Sequence, residues 1–268
     1  MSYIEALAYI HEYIKTPSMP RKLGYLQKLL LCRKQYRLKV LNNKENLEYI
    51  KNVEGSYRIL LMAALIGDLI TWRKGTQFDI AKYMSLEEKF HGLSATISLQ
   101  ANCWDAVYLA EFYIDLKLGD VSQHSHIYSK FLMTKMLPWG NERYLHSIMG
   151  NSVGEFLISD ENYLTEIDLN CVKDLIPGSF LIINDVDHVA LTITNGYIID
   201  NRSKDGFIIR TIKELAQAYE IKKLYAITVE DFRSMLDEQH TFSNTMISNI
   251  TANHFSFTGM DKKNPFKK

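Results

Sequence analysis

The sequence predicts an α+β fold: an all-helical N-terminal region, followed by one long helix packed on a small antiparallel sheet. Three observations carry this. Apolar residues recur at three- and four-residue spacing from residue 2 to about residue 92. Residues 103–118 keep that helical pattern and are closed by Gly119. After Pro177-Gly178 the chain changes to short β-branched or aromatic runs separated by turn residues.

In chain order, the first helix carries Ile4, Leu7, Ala8, Ile10 and Ile14, and the second Leu23, Leu26, Leu30 and Leu31, with Pro17 and Pro20 between them. The apolar run 59–70 is broken by Gly67 and Asp68 and is too short to span a bilayer, so it reads as a buried core helix. Gly75 is expected to end a third helix. This part of the chain shows no strand signal and no repeat of fixed period. Residues 120–176 mix helical and extended pieces around Pro138, Gly140 and Gly150. Strands are predicted at 179–184, 188–194, 197–201, 207–210 and 224–229, with one helix at 212–219. Beyond Met235 the chain turns polar and rich in Asn, Ser and Thr, the composition of a flexible tail. The organisation expected is a helical subdomain over 1–92 that braces or covers the other half, a catalytic domain over 93–235, and a tail over 236–268.

Composition narrows the function. An apolar fraction of 47% in 268 residues supports a sizeable core. Lys plus Arg equals Asp plus Glu, 31 each, so no net field draws the chain to nucleic acid or anionic lipid. The basic clusters at 34–39 and 262–268 lack interleaved stacking aromatics and read as solvated surface. Three cysteines (Cys32, Cys103, Cys171) are too few for a disulfide scaffold and point to a reducing compartment. Glu5, His11 and Glu12 interrupt the first apolar stretch, so it reads as an amphipathic helix and not a secretory signal. The expectation is a cytoplasmic protein, or one delivered by a route without a cleaved signal, with no membrane span.

The chemistry centres on Cys103. Asn102 is a good N-cap residue and Asp105 follows three positions later, a capping-box-like pair that starts a helix at the cysteine. The positive end of the helix favours a thiolate, and a histidine partner lowers a thiol further from its free value of about 8.5. Cys32, read as mid-helix, and Cys171 fit the ordinary pattern of buried apolar cysteines. His188 begins a predicted strand that turns at Asn195-Gly196 and returns through Asp200 and Asn201. A two-residue loop would pair Leu191 with Asp200 and bury Asp200 and Arg202 among Val189, Leu191 and Ile193. A three-residue loop, 194–196 with Gly196 left-handed, pairs Ala190 with Asp200 instead. Val189, Leu191, Ile193, Tyr197 and Ile199 then form a clean core stripe, and His188 shares the other face with Asp200. Burying the charges is costly, so the three-residue register is predicted. Asp200 is the orienting acid and Asn201 the reserve. Cys103 attacks, His188 moves the proton, Asp200 fixes the imidazole, and the Cys103 N–H supplies an oxyanion donor. Gln100 is a candidate second donor, and Trp104 a candidate cleft wall that shields the Cys103–His188 pair from water.

These residues carry a resemblance. Asn102-Cys103-Trp104 opening a helix resembles the nucleophile segment of papain-like thiol peptidases. The stretch 175–182 (Leu-Ile-Pro-Gly-Ser-Phe-Leu-Ile) followed by His188-Val189 looks like the strands of NlpC/P60-type members. The hairpin ending Ile199-Asp200-Asn201 is similar to that of bacterial transglutaminase-like cysteine proteinases. The resemblance covers residues 98 to 230 and does not reach the N-terminal helices. It implies a papain-like core and a Cys-His-Asp thiol hydrolase: a protease, a glutamine deamidase or a transglutaminase. Among non-exported members it implies effectors that act on host proteins. In papain the oxyanion glutamine lies six residues before the cysteine, whereas Gln100 lies three before Cys103. The rival reading is an inactive papain-like fold that binds protein through its helical N-terminal third. His124, His126 and His146 offer imidazoles at metal-ligand spacing but lack a completing acid or cysteine. No metal, cofactor or nucleic-acid partner is predicted, and the expected partner is a protein or peptide substrate.

Overall fold

The computed structural model describes residues 2–72, 99–118, 164–184, 188–218 and 220–238, and every structural statement below concerns these. Five helices open the chain: α1 (Tyr3–Lys15), α2 (Met19–Leu30), α3 (Lys34–Leu41), α4 (Lys44–Lys51) and α5 (Gly55–Ile66). Ser2 starts α1 through a capping box with Glu5. The helix stops at Lys15, with Thr16 extended before Pro17, and Pro20 lies in the first turn of α2. Asn43 caps α4 by accepting the Asn46 N–H at 2.9 Å. From Ile59 to Ile66 every residue of α5 is buried, as expected of a core helix.

The helical reading of the N-terminal region fails after Ile66. The run 59–70 is not one helix: α5 ends at Gly67 (φ +46), and a short turn over Gly67–Leu69 leads into strand β1 (Ile70–Trp72). Arg37, 1% exposed, explains the break. Its guanidinium fills the space beside Gly67, pairs with Asp68 and approaches the Ala64 carbonyl at 3.4 Å. A buried cation needs these acceptors, and they are the C-terminal end of α5. β1 pairs in parallel with β2 (Leu99–Ala101), which ends just before helix α6 (Cys103–Leu118). Gly75, expected to end a third helix, lies outside the described residues.

The second half is a six-stranded antiparallel sheet. Its strands are β3 (Thr165–Glu166), β4 (Phe180–Ile183), β5 (His188–Thr192), β6 (Tyr197–Ser203), β7 (Gly206–Thr211) and β8 (Leu224–Ile227). Their spatial order is β3-β8-β4-β5-β6-β7. Helix α7 (Ile212–Ala218) links β7 to β8. Helices and an antiparallel sheet make the chain α+β, as predicted. One helix was not foreseen. The chain does not stay extended to residue 229 or loosen at Met235, but forms α8 (Val229–Glu238). Thr228 caps it, accepting the Asp231 N–H at 3.0 Å and donating to the Asp231 carboxylate at 2.7 Å. Residues 239–268 lie outside the described residues. No described helix is long and apolar enough to cross a membrane.

Both faces of the sheet are covered. The main core joins Ala6 and Tyr13 of α1, all of α5 from Ile59 and much of α6 to Ile182, Val189, Leu191 and Ile199 of the sheet. A second cluster lies on the other face, where Leu181, Ile183, Ala190 and Ile198 pack on Ile212 and Leu215 of α7. That is why β4 and β5 are buried at every position and do not alternate. Each fully buried Leu or Ile contributes about 1.5–3 kcal/mol by leaving water, so the N-terminal helices are bound to the sheet mainly by this shared core. A charged tie reinforces it. Glu111 of α6, 2% exposed, pairs with Arg233 of α8 and lies 3.8 Å from Arg58 of α5. Burial raises the Glu111 pKa, and the two guanidiniums oppose that rise.

Candidate active site

The β5–β6 hairpin determines which side chains can meet. Leu191 lies opposite Ile199 and Thr192 opposite Ile198, the register that sets Ala190 against Asp200. Within the loop both Asn195 (φ +52) and Gly196 (φ +77) are left-handed, as a two-residue primed turn requires. Tyr197 donates to the Thr194 carbonyl and Ile193 to the Tyr197 carbonyl, each at 2.8 Å. Thr194 is therefore an extra residue beside an Asn-Gly turn, and it shifts the strands into the predicted register. Val189, Leu191, Ile193 and Ile199 join the main core, with Tyr197 packed against it, while Ala190 and Ile198 join the second cluster. His188 and Asp200 share the parity of Ala190 and Ile198.

They meet there. His188 Nε2 lies 2.9 Å from Asp200 Oδ2, with the residues 3% and 0% exposed. Cys103 is the first residue of α6 and is 4% exposed; the Asn102 carbonyl accepts the Ala106 N–H at 3.1 Å and so begins the helix as predicted. The Cys103 side chain acts on His188 through a hydrogen bond and through its charge. With Nε2 engaged by Asp200, Nδ1 is the nitrogen left for the thiol. Burial by itself would lower the His188 pKa. The charge of Cys103, the hydrogen bonds of Asp200 and Cys103 and the charge of Asp200 outweigh burial and raise it from 6.5 to about 9. The imidazole is thus held protonated, between the charge of Cys103 at the positive end of a helix and a buried carboxylate.

The other candidates are placed differently. Asn201 does not turn to the imidazole: its Nδ2 donates to the Ile70 carbonyl at 3.3 Å and fastens β6 to β1. Trp104 is 4% exposed and belongs to the main core. Gln100 is the middle residue of β2, opposite Thr71, and its side chain lies outside what the structure describes. His124, His126 and His146 also lie outside the described residues. Among those described, no three His, Cys, Asp or Glu side chains converge as metal ligands. Cys32 is buried as expected, though just past the end of α2 and not mid-helix, and burial raises its pKa. Cys171 is exposed, against expectation, in a short 3-10 turn over Leu169–Asp174.

Arg210 escaped the sequence reading. Its Nε lies 2.9 Å from Asp200 Oδ1. The signal was available in principle: a carboxylate buried in an apolar sheet calls for a cation, and Arg210 lies on the next strand of the meander. Comparison with known proteins identifies no relative: no family model, no curated protein and no solved structure matches this chain.

Proposed function

We propose that this protein is a cysteine hydrolase or acyl-transfer enzyme that attacks a peptide or glutamine amide through Cys103, His188 and Asp200. The observation that supports it is the imidazole of His188, hydrogen-bonded on one side to Asp200 and on the other to Cys103 at the start of α6. In this reading the Cys103 proton already resides on His188, and the thiolate sulfur adds to the amide carbon. The carbonyl oxygen becomes an oxyanion near the Cys103 N–H, which has no acceptor within its own helix. The C–N bond then breaks as the imidazolium protonates the leaving amine, and a thioester remains. Water resolves the thioester in a protease or deamidase, and an amine resolves it in a transglutaminase. Asp200 keeps the imidazole oriented and its charged form favoured throughout. A papain-like core and an effector's host-protein substrate are part of the same proposal, supported by the resemblance of residues 98 to 230.

A second reading has its own support. Cys103 and His188 are 4% and 3% exposed, which suits an inactive fold that binds a protein partner through its N-terminal helices. Incubation of the protein with a cell lysate, compared with Cys103→Ala by peptide mass spectrometry, separates the two. The enzyme reading predicts new N-termini, glutamines converted to glutamate, or new isopeptide cross-links that Cys103→Ala abolishes. Identical peptide sets from both proteins refute it.

A further inference from the structure

Asp200 is fully buried, and its two oxygens meet different cations: Oδ2 faces His188 Nε2 and Oδ1 faces Arg210 Nε, each at 2.9 Å. The pairing of β6 with β7 sets this up. Ile198 lies opposite Arg210 and Asp200 opposite Ile208, so Arg210 is the diagonal neighbour of Asp200 on one sheet face. The Arg210 N–H is not aligned on Oδ1 as a hydrogen bond, so the contact is a Coulombic attraction. A carboxylate stripped of water stays ionised only beside positive charge. His188 cannot supply that charge continuously, because it surrenders its proton when the leaving amine departs. A guanidinium never does.

We propose that Arg210 is a positioning residue of the His188–Asp200 pair, whose permanent charge holds the Asp200 carboxylate in place against the imidazole while His188 exchanges its proton. This rests on the function proposed above. Other charged groups near the pair, among the described residues, have contacts of their own. Cys103 from α6 and Asp200 from β6 act on the imidazole directly. Arg202 of β6 donates to the Ala218 carbonyl at 3.0 Å. Glu214 of α7 accepts the Thr211 N–H at 2.6 Å and feels the charge of Arg210.

The test is an NMR titration of the His188 ring in wild type, Arg210→Gln, Arg210→Lys, Asp200→Asn and Asp200→Asn/Arg210→Gln. Arg210→Gln is expected to weaken the proton affinity of His188 on the order of tenfold, one pKa unit. Arg210→Lys should stay near wild type. Adding Arg210→Gln to Asp200→Asn should lower it no further, since no carboxylate is left to hold. An unchanged His188 titration in Arg210→Gln overturns the assignment, and so does an equal fall in both backgrounds. If Arg210→Gln does not fold, Arg210→Lys decides: a fall as large as that of Asp200→Asn overturns the role of the charge. The cycle judges Arg210 whatever the reactivity of the thiol. A wild-type Cys103 with ordinary reactivity counts against the proposed function alone.

Discussion

Gly206 turns the β6–β7 hairpin at φ +75, directly against the corner where α5 gives way to β1. A Cβ at this position would lie 2.3 Å from the Gly67 carbonyl oxygen, 2.5 Å from that of Ile70 and 2.7 Å from Asp68 Cα. All three are backbone atoms that cannot rotate away. Gly206→Ala must therefore part the two segments by about 0.7 Å, the gap between 2.3 Å and the 3.0 Å that real Cβ atoms keep. Left-handed alanine costs about 1 kcal/mol and the forced separation about 2 more, so a loss of about 3 kcal/mol is expected. The site should suffer as well. The corner that moves carries β1, β1 pairs with β2, and β2 runs through Asn102 into Cys103, whereas His188 and Asp200 stay on β5 and β6. A misplacement near 1 Å can cost about a hundredfold in reactivity, so at least a tenfold fall in acid-pH alkylation of Cys103 is expected. Urea denaturation and peptide-resolved labelling read the two effects. Gly24→Ala, inside α2 with nothing within 4 Å of its Cβ, is the control of opposite sign, with a gain of about 0.5–1 kcal/mol. A Gly206→Ala protein within about 0.5 kcal/mol of wild type would refute the clamp between the hairpin and β1.

Three further outcomes follow from the same geometry. Trp104→Ala should destabilise by about 3–5 kcal/mol, because Trp104 is packed in the main core; lost reactivity with stability intact would restore the water-shielding role. The folded His188 pKa of about 9 lies above the ordinary 6.5, so its imidazolium contributes stability that is complete below pH 6.5 and lost as pH rises through 9. Turnover of an amide, which needs the imidazolium to protonate the amine, should fall over that window while alkylation of the Cys103 thiolate does not; parallel loss of both would contradict the assigned acid. In the folded protein, iodoacetamide should label exposed Cys171 and spare buried Cys32, and rapid labelling of Cys32 would show that α2 does not pack as described.

Five strands of the sheet were legible because each announced itself locally, whereas β3 (Thr165–Glu166) lies in the stretch 120–176 that reads as mixed. Asn195-Gly196 supplied the turn, and the cost of burying Asp200 among Val189, Leu191 and Ile193 chose the register before any coordinates. The start of α6 was legible for a similar reason: Asn102 is a cap residue and Cys103 follows it. β1 and β2 were not, since three-residue parallel strands depend on a partner distant in sequence and leave no periodicity to read. Arg37 hid the end of α5, because only the fold shows that its guanidinium occupies the space beside Gly67. Asn201 was only the reserve partner for His188, set on the opposite face by the same register, and that alternation of β6 sends it to the Ile70 carbonyl. Arg210 and the exposure of Cys171 depended on contacts across the sheet and on solvent access, which no local pattern encodes.

The central claim is that Cys103 and His188 form an activated pair, and the pH dependence of iodoacetamide labelling at Cys103 in wild type and His188→Ala tests it most directly. The account predicts that below about pH 7 Cys103 labels faster than the exposed Cys171, and that His188→Ala abolishes the advantage. A Cys103 that follows the profile of Cys171, or that never labels in the folded protein, would contradict it.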